Sequence, residues 1–331
     1  MMQGNVIYNE KNLNPYVQKT MNSNLLRVSN KEAKERYVRE NLEITLEEYE
    51  LIDGEIDRAF TAMVNARDII YTRPMPGGDG VQTYTYKTLS GMSAADISMD
   101  YKKIYDRVKI SKTSTDVPIL QREWEIKARD LSSSRNSGGQ LDVQTASEAA
   151  YVLKVLEDDY IVNGFSFDGS TYDIAGMYQS ALNDDSTTLA WSTKTNIETS
   201  IKNAVTLLVA DKVYGQMGGY NEVINPQQEI EAKALLGTNN TSDNYEKVIE
   251  NYLKGGQILV TDAITVDTGM VTGSRELRTP TGARAFEYLE FVPPTHEEWM
   301  EPGDHNLYGR EYMVTLPVIK QGNAICKQSD I

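Results

Sequence analysis

Two histidines, His296 and His305, are the only imidazoles in the chain, and they lie nine residues apart beside Glu297, Glu298, Glu301 and Asp304. An imidazole among carboxylates can hold a divalent cation, but the His-Glu-x-x-His pattern needs its histidines one helical turn apart on a single face. A spacing of nine, in a stretch that also holds Pro293, Pro294, Pro302 and Gly303, gives no such face, so the segment reads as a solvated acidic loop. Asp158-Asp159 and Asp184-Asp185 are paired acids. Neighbours on a helix do not face one another, so the first pair need not converge on a substrate, and the second falls in what reads as a polar loop.

Gly164-Phe165-Ser166-Phe167-Asp168-Gly169 approaches a nucleophile elbow, but its second glycine falls one place too late for Gly-x-Ser-x-Gly, and it reads as a turn after a helix. No Gly-x-x-x-x-Gly-Lys-Ser/Thr occurs, which removes the main support for nucleotide hydrolysis. Cys326 is the only cysteine, so neither an internal disulfide nor a thiolate metal cluster can form. No catalytic, cofactor-binding or metal-ligating residue is assigned. Were the chain an enzyme, Asp158, Asp159, His296 and His305 would be its candidate acid and base groups.

The elements around these residues belong to a chain of 331 residues, 40% hydrophobic and 24% charged, which can bury the core of one large or two modest domains. No run approaches the roughly 20 apolar residues of a membrane helix, and MMQGNVIYNEKNLNPY has neither a cationic leader nor an apolar signal core. A soluble protein that is not secreted by a signal peptide is expected. The net charge of -15 is the wrong sign for a protein whose main task is to grip nucleic acid along its surface. Residues 1–40, however, carry Lys11, Lys19, Arg27, Lys31, Lys34, Arg36 and Arg39 against four glutamates. A mildly basic arm, readable also as a solvated tail, precedes an acidic body.

Thr45 and Glu48 have capping-box spacing, and Leu46, Tyr49, Ile52, Ile56, Phe60 and Met63 follow at steps of three and four, which predicts an amphipathic helix. Pro74, Pro76, Gly77, Gly78 and Gly80 break it. The period then becomes two over Val81–Thr88 and Arg107–Thr113, with Leu120, Trp124 and Ile126 on one side of a third run. This β-rich excursion from Val81 to Ile126 has too few apolar residues for a core of its own and is marginal alone, so it should lean on a neighbouring subunit.

The strongest helix follows a Ser/Gly loop: Asp142 is its expected N-cap, Ala146, Ala149, Leu153, Leu156 and Tyr160 its apolar face, and Gly164 its stop, some 22 residues in all. Beyond Phe165 short helices and strands mix. A helix is expected over Thr195–Leu208 and a strand over Tyr220–Ile224. Asn225-Pro226 reads as a cap with Gln228 completing the box, and Tyr245–Tyr252 as a further helix; a buried strand follows over Gln257–Thr261. The segments 283–292 and 312–319 read as long strands joined by the Pro/Gly loop. Twenty tyrosines stand against five phenylalanines. A ring with a polar edge suits surfaces buried by a partner, and Tyr84, Tyr86, Tyr101 and Tyr105 are the candidates.

This order of arm, acidic helix, β excursion, long helix, α/β unit and closing strands resembles the major capsid proteins of tailed viruses of the Hong Kong 97 type, in the branch that includes encapsulin shell proteins. VQTYTYKTLSGMSAADISMDYKK with PILQREWEI looks like the E-loop and its return. LDVQTASEAAYVLKVLEDDYIVNG is similar to the spine helix, and Ile174-Ala175-Gly176-Met177 to the short signature after it. Tyr220–Pro226 and Lys254-Gly255-Gly256-Gln257-Ile258-Leu259-Val260 look like A-domain strands. The resemblance implies an α+β Hong Kong 97-type fold. Its parts would be an N-terminal arm (1–44), a P-domain helix and linker (45–80), an E-loop (81–130), the P-domain with its spine helix (131–170), an A-domain (171–281) and closing strands (282–331).

The resemblance also implies a non-enzymatic coat protein without cofactors, located in the virion and assembled in the host cytoplasm as pentamers and hexamers around double-stranded DNA. Separate scaffold, portal and decoration proteins could accompany it, and no membrane would. The implied assembly contacts are Tyr84, Tyr86, Met92, Met99, Tyr101 and Tyr105 on the E-loop and Lys11, Lys19 and Arg27 on the arm, with Leu153, Leu156 and Tyr160 as the spine-helix core. An encapsulin-like compartment around a protein cargo is the alternative. The 40 polar residues before the first firm helix differ from the compact N-terminal helix usual in encapsulins.

Overall fold

The computed structural model describes residues 56, 66–89, 110–127, 130, 144–166, 173–185, 190–191, 193–213, 218–236, 251–279, 282–300, 306–329 and 331. The N-terminal arm, the expected N-cap Asp142 and most of the amphipathic helix after Thr45 lie outside them.

A four-stranded sheet is ordered β1 (Tyr71–Pro74), β11 (Phe286–Met300), β12 (Leu307–Ile319) and β4 (Ile119–Ile126). β11 and β12 form a long antiparallel hairpin, β1 lies parallel to β11, and β4 lies antiparallel to β12. In β4, Leu120, Trp124 and Ile126 are buried while the residues between them face water, the period-two pattern of a half-covered strand. The third run of the β excursion therefore belongs to the body, and the part that leaves the body is shorter than expected.

That part is a two-stranded ribbon, β2 (Thr83–Leu89) against β3 (Ile110–Asp116), in register from Thr83↔Asp116 to Leu89↔Ile110 and paired with no third strand among the described residues. A long helix, α1 (Gln144–Val162), crosses the sheet over β4 and β12. Its described part has 19 residues. It stops where Gly164 takes φ +83, a conformation that favours glycine; a Cβ there would also lie 2.1 Å from the Ile174 carbonyl. That contact pairs β5 (Gly164–Phe165) with β6 (Ile174–Ala175). The short helix α2 (Met177–Ser180) follows.

The second sheet has the order β7 (Asn183–Asp185), β13 (Ile325–Ser329), β10 (Thr268–Gly273), β8 (Tyr220–Ile224) and β9 (Ile258–Val260). Helix α3 (Lys194–Ala210), capped by Thr193 through the Asn196 N–H, packs on β13, β7 and β10. Helix α4 (Pro226–Leu236) lies between the parallel strands β8 and β9 in the chain. Asn225 caps it by accepting from the Gln227 N–H. Gln228 does not complete the box; its amide instead donates to Asp267 and to the Ile331 carbonyl, tying α4 to the end of the chain. One apolar core runs beneath both sheets, and it includes Leu153, Ile161, Ile197, Tyr220, Val223, Phe286, Tyr288 and Leu316.

Two further sequence readings change. The Pro/Gly loop is not a loop at Pro293-Pro294, because register shifts between Glu290 and Thr295 absorb both prolines and β11 resumes to Met300. His296, Glu297 and Glu298 are therefore strand residues. Asp184-Asp185 likewise lies in β7, parallel to β13, and Asp185 is buried.

Candidate assembly surfaces

The ribbon is the element least supported by its own subunit. One of its faces presents Tyr84 and Tyr86, both half-buried; Tyr84 meets Phe291 of the same chain edge-on with ring centroids 6.0 Å apart. The other face is exposed and carries a Thr85–Ser114 hydroxyl hydrogen bond of 3.2 Å, followed by Lys87 directly opposite Lys112. Tyr84 is thus partly used at home. The remaining expected ribbon contacts, Met92, Met99, Tyr101 and Tyr105, and the arm residues Lys11, Lys19 and Arg27, lie outside the described residues.

Along α1 the expected core face divides. Leu153 and Tyr160 are buried, but Leu156 is 40% exposed and lies outside the core face. The cause is the turn below it: Glu157 and Asp158 occupy the buried side, so Leu156 joins Tyr151, Val152 and Val155 in an exposed apolar stripe.

The buried charges are paired. Glu157 Oε1 receives Arg67 Nε at 2.6 Å and the Tyr288 hydroxyl at 2.8 Å, its Oε2 receives Lys154 Nζ at 2.9 Å, and Arg67 Nη1 also reaches Glu290 at 3.1 Å. Burial and the Glu157 charge push the Tyr288 phenol up, so it stays protonated and donates. Next to it, Asp158 Oδ1 accepts the Ala66 N–H at 3.0 Å, and burial raises its pKa to about 6. Asp159 points outward to Asn163. The two acids split between a structural bond and the surface, so they form no catalytic pair. This network fastens the segment before β1 to α1 and to β11.

A second cluster joins the three main strands. His296 Nδ1 lies 2.6 Å from Glu311 Oε1 and its Nε2 lies 2.9 Å from Glu298 Oε1. Trp124 stacks on the imidazole at 6.0 Å and 5°, and donates its Nε1–H to Glu311 at 3.1 Å. Burial opposes a charge on the ring, but the hydrogen bonds to Glu298 and Glu311 and their charges outweigh it, and the pKa is pushed up to about 10. A doubly protonated imidazole donates from both nitrogens, which suits an ionic clamp across β4, β12 and β11. Gly309 makes room for the indole: a Cβ there would lie 2.2 Å from it. Sequence reading missed this clamp because it placed His296 in a loop; the alternation of β4 around Trp124 was the available signal.

In the second sheet Glu222 is fully buried, neither of its carboxylate oxygens is hydrogen-bonded among the described residues, and burial holds its pKa well above the usual range. Cys326 is buried and free, its thiol pushed up to about 12 by burial and by Asp185. Among the described residues no group of three or more His, Cys, Asp or Glu is arranged to hold a metal ion, and no helix is long and apolar enough to cross a membrane.

The profile of a protein family described as "Encapsulating protein for peroxidase" (Linocin_M18) matches residues 35–278. No curated protein matches the sequence. The structure is similar to a virus-like particle protein from Pyrococcus furiosus, with a TM-score of 0.60 and 16% identity over 85% of this chain and 99% of that one. It is similar to the capsid protein of Myoviridae phage XM1, with a TM-score of 0.58 and 13% identity over 80% and 90% of the two chains. The capsid protein of a native GTA particle gives a TM-score of 0.57 and 9% identity over 80% and 88%. The fold is therefore the α+β Hong Kong 97 type, and the family and neighbours are structural shell proteins rather than enzymes.

Proposed function

Because the chain belongs to the Linocin_M18 family of encapsulating proteins, we propose that it is the coat subunit of an icosahedral virion shell that encloses double-stranded DNA. Membership of this family implies self-assembly into capsid-like particles. In the proposed shell the β2–β3 ribbon is the E-loop and lies across a neighbouring subunit. The α/β unit of the second sheet meets its copies at the axes of pentamers and hexamers, and the N-terminal arm runs inside. The observation that carries the reading is the ribbon: seven-residue strands that pair only with each other among the described residues, too few to be stable without further support.

The basic balance of residues 1–40 favours DNA as the content, since it places cations on the part of the chain proposed to face inward. The acidic body avoids sticking to a genome that arrives with its own counterions. A second reading, a compartment around a protein cargo, is favoured by the family's description and by the exposed Tyr151, Val152, Val155 and Leu156 stripe, which an apolar peptide could cover.

Electron microscopy of purified particles, with absorbance at 260 and 280 nm and a nuclease-protection assay, separates the two. Closed shells with nuclease-protected DNA are expected; shells that yield only a co-purifying protein would replace the virion reading with the second one.

A further inference from the structure

Lys87 and Lys112 are a directly opposed cross-strand pair on the exposed face of the ribbon, both side chains in solvent, and among the described residues neither has an ion-pair partner. Like charges so placed, with Cβ atoms roughly 5 Å apart, destabilise the ribbon that carries them. One lysine would suffice to protect a strand edge from unwanted pairing. Two in register form a local positive spot on a protein of net charge -15, and such a spot fits an anionic partner with two carboxylates at matching spacing.

The chain has such a surface. Glu123 and Glu125 are both exposed on β4, at the edge of the four-stranded sheet and on the face opposite buried Trp124. Residues two apart on one strand sit roughly 7 Å apart, close enough for two lysine heads to meet two carboxylates. Among the described residues Glu125 accepts from the amide of Asn306 at 2.7 Å, an exposed contact that an ammonium can join. Within one subunit the groups do not meet: the chain runs from Lys112 to the ribbon base at Asp116, where the Val117 N–H bonds the Gln82 carbonyl, before β4 begins at Ile119.

We infer that Lys87 and Lys112 of one copy clasp Glu123 and Glu125 of a second copy, and that this charge clasp makes shell closure sensitive to salt. The inference rests on the proposed shell reading and names the contact by which the ribbon finds its neighbour.

Assembly of the full chain, followed by light scattering and electron microscopy at about 0.1 M and about 1 M salt, tests it. Two exposed pairs give about 1.4 kcal/mol together, so the concentration needed for assembly should rise about tenfold in high salt. The neutral variant Lys87→Gln/Lys112→Gln should need that higher concentration at both salts. Lys87→Glu/Lys112→Glu should block closure while leaving the circular dichroism of the subunit unchanged, and adding Glu123→Lys/Glu125→Lys should restore shells. Shells from Lys87→Glu/Lys112→Glu at wild-type yield would overturn the clasp, and loss of shells without rescue would overturn its glutamate half. If the unaltered chain forms no shell at any concentration, the shell reading itself fails.

Discussion

At the residue scale, the buried polar groups define what holds the body together. Arg67→Met would leave Glu157 buried with a partner removed, and the loss is expected to be about 3–5 kcal/mol, read as a lower unfolding temperature. The His296 clamp gives a pH signature. Its folded pKa, about 10, lies above the unfolded value near 6.5, so its stabilisation is full below about pH 6.5 and fades as pH rises toward 10. Asp158 acts earlier: its pKa is raised to about 6, so ionising it costs stability as pH rises from about 4 through 6. Thermal unfolding across pH 6.5–10 should show a fall that His296→Gln largely removes; an equal fall in both proteins would contradict the clamp. The tyrosine excess has a related explanation. Tyr160, Tyr220 and Tyr288 are buried with their hydroxyls bonded to Thr315, Val213 and Glu157, so part of that excess serves the core of one subunit rather than an interface.

At the element scale, α1 and the β11–β12 hairpin carry the fold. Leu153→Asp should place an unpaired charge at a fully buried position and cost several kcal/mol, leaving insoluble or unassembled protein. Gly309→Val should drive a branched side chain into the Trp124 indole and cost about 1–3 kcal/mol, measurable by denaturant unfolding followed by circular dichroism. Helix α1 and strand β4 were legible in sequence, since α1 has apolar steps of three and four with a glycine stop and Leu120, Trp124 and Ile126 share one side of β4. What was not legible was the reach of β11. Pro293-Pro294 reads as a breaker unless bulges admit it, and whether they do is decided by pairing with β12, which no local pattern encodes. Leu156 fails for a related reason: the helical period allows it on the core face, but the ion network of Glu157 with Arg67 and Tyr288, contributed by segments about 90 and 131 residues away, turns the helix otherwise.

At the scale of the whole molecule, the described body packs around its own core and the ribbon does not. Core, helix layers and both sheets close around one apolar interior, whereas β2–β3 leaves an exposed face with two opposed lysines. Removing residues 91–100 should therefore leave a subunit with unchanged circular dichroism that forms no closed particle; normal particles from the shortened chain would remove the ribbon from the assembly account. The order of elements along the chain was enough to suggest this architecture, because the architecture is collinear with the sequence. The partners of the ribbon were not, because in the proposed shell they lie in another copy. The most direct test of the central claim, that this chain builds a shell by laying its ribbon on a neighbour, is a cryo-electron microscopy reconstruction of the purified assembly. The account predicts a closed icosahedral particle in which Thr83–Leu89 and Ile110–Asp116 cross onto an adjacent subunit. Discrete small oligomers, or a shell in which each ribbon folds back on its own body, would contradict it.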